Sequence, residues 1–355
     1  MPIVAHNSLP VFEKLRQDGQ TVLTMDRATH QDIRELHIGL LNLMPDAALH
    51  VTEQQFIRLV GSCNQIAQLY VHPFSVDGLQ RSKDTQAYID KYYLDFEQIR
   101  NLGLDALIIT GANVQTPDLN QQIFWEPLNA VFTWALENVT SVLCSCLATH
   151  ALVKQLYDIN RKPLKRKRWG VYNHYVVETK HPMLRDINTR FDVPHSRHND
   201  VTRQQLEKVG VSVLVENSNG EVHMAVSPDQ FRVVYLQGHP EYYTGSLLKE
   251  YKREIQRYYS DELTDCPPYP DNYFGIEAMV IADNYQEQVR IAKKQGAILP
   301  PFPEEQIQIY LHNTWRDTGK ALFNNWLGLV YQLTNVDRKL PFTSGINPED
   351  PLGIL

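Results

Sequence analysis

Short apolar runs alternate along the first half of the chain with longer stretches in which apolar residues recur every three or four positions. Residues 37–43, 66–71, 105–110 and 141–146 read as buried strands, the third ending at Gly111. Residues 52–60 place Phe56, Leu59 and Val60 on one helical face, and residues 88–99, 123–136 and 148–157 have the same period. Strands interleaved with helices predict a mostly parallel sheet covered on both faces, an α/β fold. After Gly170 the pattern turns strand-rich. Residues 171–177, 212–215, 222–226 and 233–236 predict antiparallel or mixed strands, with a turn over 217–220. A helix over 245–259, proline-rich crossings at 266–270 and 300–303, and a closing helix over 314–333 follow. One α/β domain spans 1–355, with a core from about 33 to 262 and a C-terminal helical extension from about 263 to 355.

The 355 residues carry 34 Lys+Arg against 41 Asp+Glu, a formal charge of −7. This balance gives no footprint for nucleic acid, and the basic run 165–168 is short. No apolar stretch reaches the roughly 18 to 20 residues of a membrane span. Residues 1–6 lack a basic segment leading into an apolar one, so a cytoplasmic location without membrane attachment is expected. The four cysteines are too few for a disulfide scaffold and form no CxxC pair, so no structural metal is expected.

Cys146 closes one apolar strand where a helix begins. Ligands of open α/β sheets bind beyond the carboxyl ends of strands, and the positive end of a helix dipole favours thiolate. The backbone N–H of Leu147 would face a developing oxyanion. Cys144, two residues deeper, reads as core. A thiolate nucleophile needs a base and a group to orient that base. The run Gly238-His239-Pro240-Glu241 offers both, because Pro240 biases His239 toward an extended conformation and residues two apart then face one side. Gly238 gives the chain room to turn. His150, one helical turn after Cys146, reads as a packing histidine.

At these residues the sequence resembles the homoserine O-succinyltransferase family, which includes homoserine O-acetyltransferases. The resemblance runs through Leu41-Asn42-Leu43-Met44-Pro45, Thr110-Gly111-Ala112, Gly170-Val171-Tyr172, Pro194-His195-Ser196-Arg197, Gly238-His239-Pro240-Glu241-Tyr242, Thr314-Trp315-Arg316 and Asn325-Trp326-Leu327. It implies a class I glutamine amidotransferase-like sandwich. It also implies ping-pong acyl transfer, in methionine biosynthesis, from an acyl-CoA through a thioester on Cys146. His239 acts as base, Glu241 orients it, and neither a metal nor an organic cofactor is needed. The partners are then small molecules, acyl-CoA and a hydroxy amino acid. A homodimer is favoured by resemblance and by the frequency of twofold assemblies.

The resemblance further implies substrate contacts at Lys167, Ser196 and Arg253, the last suited to clamp a carboxylate bidentately. Without it, Lys167 reads as one charge of a solvated run and Arg253 as an exposed helix face. In the family, the residue matching Gln115 influences the donor: glycine leaves room for succinyl and glutamate goes with acetyl. By volume glutamine disfavours succinyl; by charge it does not repel it. Succinyl-CoA is the first choice and acetyl-CoA the second. Asp46-Ala47 stands where basic or polar residues are usual and Leu147 where Trp is common, while Cys144 and His150 are unusual. These departures leave serine open as acceptor. A class I amidotransferase-like hydrolase or peptidase with the same triad is the other enzyme reading, and a scaffold that lost catalysis the non-enzyme one. The missing glycines around Ser145-Cys146-Leu147-Ala148 speak against the hydrolase.

Overall fold

The structure is a computed structural model that describes residues 3–30, 33–63, 67–114, 116 and 118–355. The amino-terminal half runs β1 (Ile3–Ala5), α1 (Val11–Gln17), β2 (Val22–Thr24), α2 (Met25–Thr29), β3 (Glu35–Leu41), α3 (Asp46–Gly61), β4 (Gln68–Phe74), α4 (Lys83–Tyr92), α5 (Phe96–Leu102), β5 (Ala106–Ile109), α6 (Trp125–Asn138), β6 (Ser141–Ser145) and α7 (Leu147–Tyr157). It continues with β7 (Lys162–Val176), β8 (Arg190–Asp200), α8 (Arg203–Glu207), β9 (Ser212–Glu216), β10 (Val222–Val226), β11 (Val233–Leu236), α9 (Ser246–Tyr259), α10 (Ile276–Gln295), α11 (Glu304–Gln308) and α12 (Arg316–Leu333).

All strands join one sheet in the order β2-β1-β4-β3-β5-β6-β11-β10-β9-β7-β8. Pairing from β2 through β11 is parallel, and from β11 through β8 antiparallel. The mostly parallel α/β sheet expected from the alternation is present. Because successive strand residues face opposite sides, Ala106 and Ile108 pack with α1, α3 and α12, whereas Leu107 and Ile109 pack with α5, α6 and α7. A third apolar cluster joins Trp169 and Val171 to α9, α10 and Trp315, so α9 and α10 are seated on β7.

The expected helix over 88–99 is two helices. Leu94 bridges to Phe74 beside β4, and Asp95 opens α5 with a capping box completed by Gln98. The strand expected over 171–177 begins at Lys162 and so includes the basic run. The strand expected over 66–71 is β4, Gln68–Phe74; residue 66 is outside the described residues. β8 and α10 had no counterpart in the hydrophobic pattern.

Gly170 ties the extension to the sheet. Its φ is +147°, and Asp271 crosses so closely that a Cβ there would lie 2.2 Å from Asp271 O. Asp271 N donates to Trp169 O and Val171 N to Asp271 O, both at 2.8 Å. Gly170→Ala should destabilise the protein by about 3 kcal/mol, through strain and forced separation of these segments. Urea unfolding would check this; an unchanged midpoint would mean that the crossing does not constrain the fold.

Candidate active site

The parallel strands direct their carboxyl ends to one edge, where β3, β5, β6 and β11 stop side by side at Leu41, Ile109, Ser145 and Leu236. Cys146 is the first residue past β6 and the N-cap of α7, with φ 53° and ψ −110°. Positive φ at a non-glycine residue is strained, costing on the order of 1–3 kcal/mol, and lifts the side chain out of the sheet line. The turn is pinned: Cys146 N donates to Leu236 O at 2.7 Å, and Thr149 Oγ1 donates to Cys144 O and Leu236 O at 2.9 Å. Cys146 is partly exposed, whereas Cys144 and Cys63 are buried. No side chain caps α7, so its first N–H groups, that of Leu147 included, have no side-chain acceptor. Gly111 closes the opposite wall; a Cβ there would lie 3.3 Å from Cys146 Cβ and 3.7 Å from Leu147 N.

His239 follows β11, and its N–H donates to Pro194 O of β8 at 2.8 Å. Its Nδ1 meets Glu241 Oε1 at 2.8 Å, both residues being buried. The other ring nitrogen makes no regular hydrogen bond and interacts with the Cys146 thiol. Burial pushes the thiol up, but the adjacent imidazolium and the Arg197 guanidinium outweigh it, so the thiol titrates below its ordinary value. Burial pushes the His239 imidazole down, and the Glu241 carboxylate and Cys146 thiolate reverse this, so His239 holds its proton above the ordinary value. Both shifts favour a thiolate–imidazolium pairing, with the Glu241 carboxylate against the far side of the ring.

Gly238 lies in the bend after β11 and also serves packing. A Cβ there would meet Val193 Cγ1 at 2.5 Å, His195 Cε1 at 2.8 Å and His223 Nδ1 at 2.9 Å. His195 and His223 lie fully buried, their imidazoles pushed down by burial and then by neighbouring positive charge. His150 is likewise buried, its Nε2 against Gln237 Oε1 at 2.8 Å, in agreement with its reading as a packing residue. Cys144 sits in the core against α6 and α7.

Lys167 and Ser196 come together on a residue that sequence reasoning passed over. Lys167 Nζ lies 3.0 Å from Glu250 Oε2, and Ser196 Oγ donates to the same oxygen at 2.6 Å. Tyr242 OH donates to Glu250 Oε1 at 3.0 Å, and its ring stacks on His239 with centroids 4.3 Å apart. Glu250 thus links this cluster, through Tyr242, to the His239 imidazole. Burial raises its carboxyl, but Lys167 and the Ser196 hydroxyl outweigh that, so it titrates below its ordinary value. Its signal was faint: one charge in the run 249–254, on the turn after Leu247 beside an apolar stripe. Arg253 is 49% exposed and 3.6 Å from Glu254, lines neither cavity, and reaches Glu250 only through its charge. A cavity of about 430 Å³ opens beside Lys167, walled by Trp169, His198 and Cys266 among others. The run 165–168 is therefore not uniformly solvated: Lys167 is half-buried, and buried Arg168 pairs with Glu221.

Asp46, at the foot of the Met44-Pro45 turn, accepts from Ser82 N at 2.7 Å and pairs with Arg81 at 3.5 Å. Arg81 also donates to Met44 O and Asn42 O, so this acidic departure fastens the loop beside the site. Gln115 lies outside the described residues. Among the described residues, no cluster of His, Cys, Asp and Glu has the geometry to hold a metal ion, and no helix is long and apolar enough to cross a membrane.

A family model described as homoserine O-succinyltransferase matches residues 2–336. The homoserine O-succinyltransferase of Methylococcus capsulatus is 56% identical over 354 residues, covering 100% of both chains. That of Methylobacter tundripaludum is 57% identical over 354 residues with the same coverage. Among solved structures, a glutamine amidotransferase from Methylobacillus flagellatus aligns with a TM-score of 0.44 at 10% identity, over 84% of this chain and 95% of that one. The strand-end cysteine with its buried imidazole and carboxylate stands in a chain that belongs to the homoserine O-succinyltransferase family, a family of acyltransferases.

Proposed function

We propose that the protein transfers a succinyl group from succinyl-CoA to the hydroxyl of L-homoserine in a ping-pong reaction, as a cytoplasmic step of methionine biosynthesis. The observation that carries this reading is the Cys146–His239–Glu241 array at the carboxyl edge of the parallel strands. The names carried by relatives at 56% and 57% identity support succinyl and homoserine as the substrates.

In the first half-reaction the Cys146 thiolate attacks the thioester carbonyl, and the oxyanion forms in front of Leu147 N–H. The carbon–sulfur bond to CoA then breaks, and the departing thiolate takes the proton of the His239 imidazolium. One thioester replaces another, so the exchange is nearly isoenergetic. In the second half-reaction His239 accepts the proton of the homoserine hydroxyl, whose oxygen attacks the acyl group; Cys146 leaves as thiolate. Glu241 fixes the imidazole throughout. Lys167 and Ser196, organised by Glu250, line the acceptor side, and Arg253 supplies the cation for the amino-acid carboxylate. The reaction needs no metal or resident cofactor. Hydrolytic relatives of this triad place glycines close on both sides of the nucleophile, and Ser145-Cys146-Leu147-Ala148 has none, which favours transfer over hydrolysis.

A panel of succinyl-CoA and acetyl-CoA, each with homoserine and serine, followed by thiol release, tests the assignment. The highest kcat/KM is expected for succinyl-CoA with homoserine. Preference for acetyl-CoA would move the donor choice to the volume of Gln115, and preference for serine would overturn the acceptor. Arg253→Ala should raise the homoserine KM about tenfold or more while changing kcat little. An unchanged KM would remove Arg253 from the site.

A further inference from the structure

Away from the catalytic cleft, three cationic side chains from three helices share one cavity. It holds about 280 Å³ and is walled by Arg58 of α3, Lys249 of α9 and Arg316 of α12, with Tyr243, Thr244 and Asn313 among its other walls. Among the described residues, none of the three cations is within ion-pair distance of a carboxylate. Glu304, the carboxylate on the wall, is engaged by Lys252 at 2.8 Å. Asp18, which faces Arg58 at longer range, accepts from Gln54 at 2.9 Å.

Like charges gathered without a nearby counter-charge repel one another. Arg58 is half-buried, its guanidinium 4.3 Å from the centre of the Tyr243 ring and close enough to Arg316 to feel its charge. The Tyr243 hydroxyl is buried without a partner. α9, 14 residues long, begins in the cavity wall at Gly245 with no side-chain cap, adding the positive end of its dipole. The cavity beside Lys167 has no such surplus: Arg166 pairs with Asp271 and Lys167 with Glu250, at 3.0 Å each.

We propose that the Arg58–Lys249–Arg316 cavity binds a phosphate group of the acyl-CoA donor. This rests on the acyltransferase reading and locates the end of the donor that the triad does not touch. Tyr243 of the cavity wall is two residues past Glu241, so one short segment has the triad at one end and the cavity at the other. The flexible pantetheine arm of CoA would bridge them. The phosphates would supply the missing anion, and their contribution to binding would be the same in ground and transition states.

Calorimetric titration of CoA, pantetheine and inorganic pyrophosphate tests this on the full chain. Wild type is compared with Arg316→Gln, Lys249→Gln and the control Lys320→Gln, an exposed α12 residue outside the cavity wall. Arg316 and Lys249 are exposed, so their variants should fold, which circular dichroism checks. Each should weaken CoA about tenfold and leave pantetheine unchanged, with Lys320→Gln neutral. Equal loss for CoA and pantetheine would overturn the proposal. Loss of pyrophosphate binding alone would assign the cavity to a free anion instead of the donor, and overturn it equally. CoA affinity unchanged in both variants, while wild type still turns over succinyl-CoA, would remove the site and leave the acyltransferase reading standing. A wild type that neither binds CoA nor turns over its acyl thioester would remove both.

Discussion

Cys146→Ser should lower kcat/KM for acyl transfer by at least about 10³-fold while leaving the fold intact. The argument is electrostatic. The thiol gains its ionised form from the imidazolium beside it, and an alcohol titrates too far above a thiol for the same pairing to ionise it. The position also demands a small residue that tolerates φ 53°, which Ser meets with the same heavy-atom count, so unfolding is not the expected cause of the loss. Cys144→Ser is the matched comparison. Cys144 is 0% exposed and its thiol is pushed up by burial, so it has no route to thiolate. A hydroxyl there should cost about 1–3 kcal/mol of stability and little activity. Steady-state kinetics of both variants checks the pair; reversed effects would place the nucleophile at 144.

Glu241→Gln should reduce kcat/KM by about 10²–10⁴-fold and reshape its pH profile. In the wild type the active form is thiolate with imidazolium. The acid limb is protonation of Cys146, below the ordinary thiol value, and the base limb is loss of the His239 proton, above the ordinary imidazole value. Burial alone would lower the imidazole, and the Glu241 charge is the largest influence opposing it. An amide at 241 keeps a hydrogen-bonding group at 2.8 Å from Nδ1 and removes that charge. His239 then gives up its proton at lower pH, the base limb moves down and the active window narrows. A base limb that stays in place would mean that the carboxylate orients the ring without supporting its charge.

The triad was legible because its chemistry coincides with strong backbone signals. A short apolar strand, Ser141–Ser145, followed at once by a cysteine fixes that residue at the sheet edge, and a proline holds His239 so that a carboxylate two residues later shares its side. Glu250 was not legible, because one charge in Lys249-Glu250-Tyr251-Lys252-Arg253-Glu254 resembles any solvated helix face. Only the folded chain brings Lys167, Ser196 and Tyr242, from elements far apart in sequence, onto its carboxylate. β8 was missed for a related reason. Its buried residues include His195, Arg197, Asn199 and Asp200, satisfied partly by one another, as in the Arg197–Asp200 pair at 3.0 Å, and period-2 hydrophobicity does not see them. β1 and β2 are three residues each, too short for any periodicity to declare them. The turn at Gly238 was legible, but the layer of side chains it must also clear comes from β8 and β10, which the local sequence does not show.

The central claim is a covalent thioester on one sulfur, and mass spectrometry of the protein incubated with succinyl-CoA in the absence of any acceptor tests it most directly. The expected result is a single added succinyl group, carried by the peptide containing Cys146, absent from Cys146→Ser and discharged when homoserine is added. An unmodified protein that nevertheless forms O-succinylhomoserine, or a succinyl group that resides on another residue and is transferred from there, would contradict the account.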